Sequence, residues 1–430
     1  MSTHAIPGTS TEYHLIAFDA NGQERTDDVA GGIFSRRVLE KVKAEAPTNI
    51  FLFSHGWKGD ALAAIDQYNR WIKAMVDLSA DAQRMGTGFK PLWIGLHWPS
   101  LPWGEEGSGS FAAAGGKPIG QLFEETVRDF GGSEAVRGPL RVIFDAHAQD
   151  PGASEVPPRA LQAYRDLAAA IGFSAGKGSA GAPDEDGESL DPQAALDADT
   201  LAMQSFGVFG AIGGGILSGL GQLSFWTMKK RGRTVGEGGM HQLVSSLQQE
   251  SKAKIHLMGH SFGCVVVSSI LNGPDGKGAL PRPINSVALV QGALSLWSYA
   301  DQVFGSSQPG YFRSVLTRGV VSGPIITTKS RHDTAVGVLY PAAVGLVQEA
   351  DFADKLPKYG GIGSFGIQGT TVTVDRDMLD KDGDYGFASG KVHNLESSTY
   401  IAKKEGASGA HSDIAGPQVA HAIWQAALVS

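Results

Sequence analysis

The feature that most constrains this chain is a rhythm of short apolar runs and helical stretches. TNIFLFSHGW reads as a strand. ALAAIDQYNRWIKAMVDLSADAQRM follows as a helix, with Leu62, Ile65, Tyr68, Ile72, Met75 and Val76 at helical spacing, and FKPLWIGLHWPS is again a strand. The same alternation returns after residue 236: helix GMHQLVSSLQQESKA, strand KIHLMGH, helix CVVVSSILN, strands PINSVALVQGA and GPIITTKSRHD, and helix VGVLYPAAVGLVQEA. The strand-like GKVHNLESSTYI and the helix GPQVAHAIWQAALV close the chain. Strands alternating with helices build βαβ units, so the expected class is α/β, with a mostly parallel central sheet flanked by helices. At the front, EYHLIAFDANGQERTD reads as a hairpin turning at Asn21-Gly22.

The rhythm breaks between residues 101 and 235. The expectation is a sheet-forming unit in two parts, 1–100 and 236–430, with 101–235 inserted between them. The insertion holds helical pieces such as PPRALQAYRDLAAAIGF and a polar, flexible loop, SAGKGSAGAPDEDGESLDP. It also holds SFGVFGAIGGGILSGLGQLSFWTM, residues 205–228, uncharged and followed by KKRGR. Length and flank fit a membrane span. A span would put the two parts of one sheet on opposite sides of a bilayer, so the favoured reading is a buried glycine-rich hairpin or lid, with peripheral lipid contact as a further alternative.

Composition narrows the partners. A net charge of −8 without long basic runs argues against nucleic acid. The single cysteine, Cys264, cannot form an intrachain disulfide and reads as a small core residue. The first residues lack a basic region followed by an apolar run, which leaves cytoplasmic as the default compartment. Asp380, Asp382 and Asp384 in DRDMLDKDGDYG, residues 375–386, suggest calcium, but Tyr385 and Lys391 stand where a calcium loop needs glycine and glutamate, so the stretch reads as a solvated acidic turn. No zinc cluster, phosphate loop or dinucleotide fingerprint is present, so neither metal nor cofactor is expected.

One pentapeptide carries chemistry. GHSFG, residues 259–263, is a Gly-x-Ser-x-Gly pattern centred on Ser261. With 58 glycines in 430 residues, such a pattern arises by chance about 0.7 times, and a second match, GFSAG around Ser174, does occur. Context separates them. Ser174 follows a helix and precedes a polar loop, whereas Ser261 lies between an apolar strand and an apolar helix. A sharp strand-to-helix turn needs small neighbours and sets the serine hydroxyl at a helix N-terminus, where developing negative charge is favoured.

At these residues most of the chain, the insertion excepted, resembles the α/β-hydrolase superfamily. GHSFG with SRHDTAVG and HSDI is also similar to a group of bacterial hydrolase-like proteins. The resemblance implies a triad in the order serine, acid, histidine. Asp333, past the second strand after the serine, then holds the acid position, and His411, in a glycine-rich loop before the last helix, the base position. Asp301 and His393 are the rivals. It also implies two oxyanion donors, the backbone N–H of Phe262 and one in the HGW turn, assigned to Trp57, with Gly56 allowing the bend. His55 is expected to be buried and to fix that turn. His97, Trp98 and Trp103 end a strand and are candidates to line the acyl pocket. The implied activity is a serine hydrolase of the carboxylesterase or lipase kind, acting on a small-molecule or lipid-like ester. The alternative is a silent binding or regulatory protein that keeps the fold.

Overall fold

The computed structural model describes residues 2–26, 32–56, 61–100, 118–172, 192–193, 196, 215–304, 306–336, 356–357, 360–404 and 408–429. Nine strands form one sheet in the order β1-β2-β4-β3-β5-β6-β7-β9-β8. They are β1 Ser2–Ala5, β2 Glu12–Ala17, β3 Asn49–Ser54, β4 Pro91–His97, β5 Lys254–His260, β6 Ser286–Val290, β7 Ile325–Lys329, β8 Thr373–Asp377 and β9 Val392–Glu396. Only the β1–β2 pair is antiparallel. The protein is thus α/β, with a mostly parallel sheet.

The inner strands are apolar on both faces because helices cover both. Ile50 and Leu52 of β3, Ile255 and Leu257 of β5, and Val287 and Leu289 of β6 join one core; Phe51, Phe53, Met258, Ala288 and Val290 join the other. A period of two sends successive side chains to opposite faces, so a strand buried on both sides reads as an unbroken apolar run. The first core takes helices α1 Phe34–Glu45, α6 Ser218–Val235, α7 His241–Glu250 and α8 Gly263–Asn272; the second takes α2 Ala61–Val76 and α9 Pro417–Leu428.

The expected turn at Asn21-Gly22 is present: Phe18 bridges to Glu24, the Asp19 N–H donates to the Gln23 carbonyl at 2.7 Å and the Arg25 N–H to the Ala17 carbonyl at 2.9 Å, although the returning segment is a single bridge rather than a strand. A further hairpin at the front, β1–β2, turns through residues 6–11. Two local readings need correction. The long helix expected after β3 ends at Val76, and a separate turn of helix runs over Ser79–Arg84. The acidic stretch beginning at Asp375 starts as strand: β8 is a half-exposed edge, where Asp375 pairs with Lys329 across β9. The helix expected over VGVLYPAAVGLVQEA falls, beyond Val336, outside the described residues.

Within the insertion, α3 Ile119–Asp129, α4 Glu134–Gln149 and α5 Pro158–Ala170 build a small core of their own with Ile216, Leu217, Leu220 and Leu223. The helical run then continues from α6 through residues 236–240 into α7, kinking at Gly238. The expected boundary after residue 235 therefore lies inside a continuous helical run. Leu217 and Leu220 are core residues of the insertion, and KKRGR lies within α6 rather than flanking a span. Arg231 donates to the carbonyl of Pro99 at 2.9 Å. Phe225 packs edge-on against Phe262, ring centroids 5.1 Å apart. Among the described residues no helix is long and apolar enough to cross a membrane. The rest of the 205–228 stretch, with Phe206 and Phe209, and the polar loop with Ser174 lie outside the described residues.

Candidate active site

The chain order reverses direction across the sheet between β3 and β5, and such reversals open a crevice at the carboxyl ends of the strands. Ser261 follows β5 at that point, with a left-handed backbone, φ 56°. For a residue with a Cβ this costs on the order of 1–3 kcal/mol and persists only where the surroundings enforce it. Here they do. The Ser261 N–H donates to the Val290 carbonyl at 3.1 Å, and the Ser261 carbonyl accepts from Cys264 and Ala293. A Cβ on Gly259 would lie 2.5 Å from the Gly263 carbonyl, and one on Gly263 would overlap the carbonyl of Ser54. Both glycines of the pentapeptide are therefore demanded by backbone-to-backbone contact. Gly56 is held likewise: a Cβ there would come within 2.6 Å of the Ser261 Cβ.

Asp333 and His411 meet. The His411 Nδ1–H donates to Asp333 Oδ2 at 2.8 Å, which leaves Nε2 as the ring nitrogen free of Asp333. Their two loops are stitched by a bridge between Asp333 and Gly409 and by the Ala410 N–H donating to the His332 carbonyl at 2.8 Å. Asp333 is buried; its Oδ1 accepts from the Val336 N–H at 3.0 Å. His260 joins this pair to the turn that carries Ser261. Its Nε2–H donates to the His411 carbonyl at 2.9 Å, and the two imidazoles lie 4.9 Å apart. Ser261 is 4% exposed, and its Oγ makes no hydrogen bond among the described residues.

The rivals are occupied elsewhere. Asp301 is ion-paired with Arg313. His393 lies within β9 and accepts from the Ala388 N–H at 3.1 Å. Burial is the largest cause of its pKa falling below the ordinary histidine value.

Phe262 caps α8, so its backbone amide stands at the positive end of that helix. The other proposed donor, Trp57, lies outside the described residues, as does Trp103. His55 supports the turn before Trp57. Its Nδ1–H donates to the Gly56 carbonyl at 2.9 Å, while its Nε2 accepts from the His97 Nδ1–H at 2.9 Å and the Trp98 N–H at 3.3 Å. The Trp98 indole N–H donates to the His55 carbonyl at 3.1 Å. His97 and Trp98 are both buried, engaged in supporting this turn rather than set at an open surface.

Gln291 was missed. It follows β6 directly and is fully buried, with a left-handed φ of 47°, and its Nε2–H donates to Asp333 Oδ2 at 2.8 Å. A lone glutamine after a strand carries no sequence signal for that contact. The acidic turn is also engaged: Asp380 accepts from Gln418 at 2.9 Å. Among the described residues no group of three or more histidine, cysteine, aspartate or glutamate side chains is gathered for a metal. No protein-family model, curated protein or solved structure matches the chain.

Proposed function

We propose that the chain is a serine hydrolase with an α/β-hydrolase fold, acting on ester bonds of an apolar acyl substrate through an acyl-enzyme. The observation that carries this reading is a strained serine at the carboxyl end of β5, tied through its neighbour His260 to a half-buried histidine paired with a buried aspartate.

In the proposed reaction His411 Nε2 takes the Ser261 Oγ proton as Oγ bonds to the substrate carbonyl carbon. Asp333 holds the imidazole in the tautomer that leaves Nε2 bare and stabilises the imidazolium that forms. The oxyanion is met by the Phe262 N–H and by a donor from the turn at Trp57; one such donor contributes roughly 3–4 kcal/mol where measured in a protease. Collapse of the tetrahedral intermediate expels the alcohol, which leaves with the proton from His411. Water then attacks the acyl-enzyme by the same route and releases the acid. The insertion acts as a lid: Phe225 of α6 rests on Phe262, so movement of the insertion is coupled to the nucleophile turn.

Hydrolysis of p-nitrophenyl esters of graded chain length tests this reading. Wild type should turn over, and Ser261→Ala should not. An apolar acyl site adds at most about 0.8 kcal/mol, roughly four-fold in kcat/KM, per methylene buried. One observation favours a silent binding protein instead, the absence of a hydrogen bond on Ser261 Oγ. Wild-type turnover no faster than Ser261→Ala would decide for it.

A further inference from the structure

We infer that Gln291 is a positioning residue for the acid of the proposed triad, locking the Asp333 carboxylate in the orientation that His411 requires. The inference rests on the hydrolase reading above for its catalytic meaning, but not for its geometry.

The Gln291 amide can face only one way. Its Nε2 meets two acceptors, Asp333 Oδ2 at 2.8 Å and the Gly363 carbonyl at 3.2 Å. Its Oε1 meets a donor, the Thr328 hydroxyl at 2.8 Å, and that hydroxyl in turn accepts from the Gln291 N–H at 2.9 Å. A flipped amide would set an oxygen against two oxygens, so the network itself fixes the assignment. The backbone cooperates. Gln291 holds a left-handed φ, and a Cβ on Gly363 would come within 2.8 Å of the Gln291 carbonyl carbon. Strain of this kind in a fully buried polar residue marks a position set by its hydrogen bonds rather than by packing.

The consequence falls on Asp333 Oδ2, which accepts from Gln291 and His411 at once. With Oδ1 held by the Val336 N–H, both carboxylate oxygens are fixed and the plane of the group cannot turn. The chain reaches this from two adjacent strands: Gln291 directly follows β6, and Thr328 lies near the end of β7, which leads into the Asp333 loop. A rotated carboxylate would release the imidazole tautomer, and small misplacements of a catalytic group cost up to about 100-fold in rate. The ionisable groups on this network are Asp333 and His411, with the neutral ring of His260 against His411.

The test uses the full chain and a fluorophosphonate, whose reaction with a serine needs a neighbouring neutral base. Its labelling rate at Ser261 is followed against pH. Gln291→Met removes all three amide contacts and should slow labelling at least ten-fold at every pH. Thr328→Val leaves Oε1 buried without its donor and loosens the amide, which should slow labelling as well, while Thr328→Ser should recover most of the loss. These two variants cover the case in which Gln291→Met does not fold. Wild-type labelling by Gln291→Met or Thr328→Val overturns the inference. If wild type itself is not labelled, the hydrolase reading fails, and the low-field Nδ1–H proton resonance of His411 decides positioning alone: shifted or lost in Thr328→Val supports it, unchanged overturns it.

Discussion

His260, the residue before Ser261, holds the His411 backbone in place: its Nε2–H donates to the backbone carbonyl of His411, 151 positions along the chain, at 2.9 Å. Burial, reinforced by the neighbouring His411, holds its pKa well below the ordinary histidine value, so the ring is neutral. His260→Ala should therefore loosen the His411 loop and lower kcat by about 10–100-fold, with far less effect on KM. His260→Gln, which keeps an N–H donor, should recover part of that loss. Steady-state ester kinetics read both; equal rates for all three proteins would remove His260 from the account.

Gly409 has a φ of 62°, and a Cβ there would overlap the carbonyl of His332. Gly409→Ala should open the ladder that joins the acid and base loops, costing about 1–3 kcal/mol of stability. Ester hydrolysis should fall further than the loss of folded protein explains. Urea denaturation alongside kcat separates the two; a change in stability alone would show that the ladder does not serve the site.

Leu220 is fully buried in the core of the insertion. Leu220→Ala should cost about 2–5 kcal/mol and should reduce hydrolysis of short and long esters in the same proportion. A loss confined to long esters would place this part of α6 in the acyl site.

Stability should fall in acid. His256 lies within the sheet, its Nε2–H donating to Asn49 Oδ1 at 2.9 Å and its Nδ1 accepting from the Ser286 hydroxyl at 2.8 Å. Burial pushes its pKa down to about 3, and that of His14 to about 4. Above pH 6.5 both rings are neutral whether the chain is folded or not. Below it the unfolded chain takes protons that the folded one refuses. Stability from each group is thus complete above about pH 6.5 and is lost toward the folded value, at about 1.4 kcal/mol per pH unit. Urea midpoints between pH 4 and 8 should show this slope, and His256→Gln, although less stable throughout, should show a shallower one. Parallel slopes would contradict the assignment.

The strands around Ser261 were legible because each inner strand is buried on both faces and so reads as one apolar run. The pairing of Asp333 with His411 was expected because the resemblance to the α/β-hydrolase superfamily implies an acid past the second strand after the serine and a histidine in the loop before the last helix. Gln291 and the role of His260 were not. Both act through contacts with residues remote in sequence, and neither residue type announces such a partner. The packing of Leu217 and Leu220 was hidden for a related reason: an apolar, glycine-rich stretch has the same composition whether it lines a lid, a membrane or a helical core. β8 was missed because an exposed edge strand needs no apolar pattern.

The central claim is that Ser261 is a nucleophile activated by His411 and Asp333. Fluorophosphonate labelling of the folded chain, with the modified peptide identified by mass spectrometry, tests it most directly. The account predicts one phosphonylated residue, Ser261, with no labelling of Ser261→Ala and at least about 100-fold slower labelling of His411→Ala. Folded wild-type protein that stays unlabelled, or that is labelled at Ser174 instead, would contradict it.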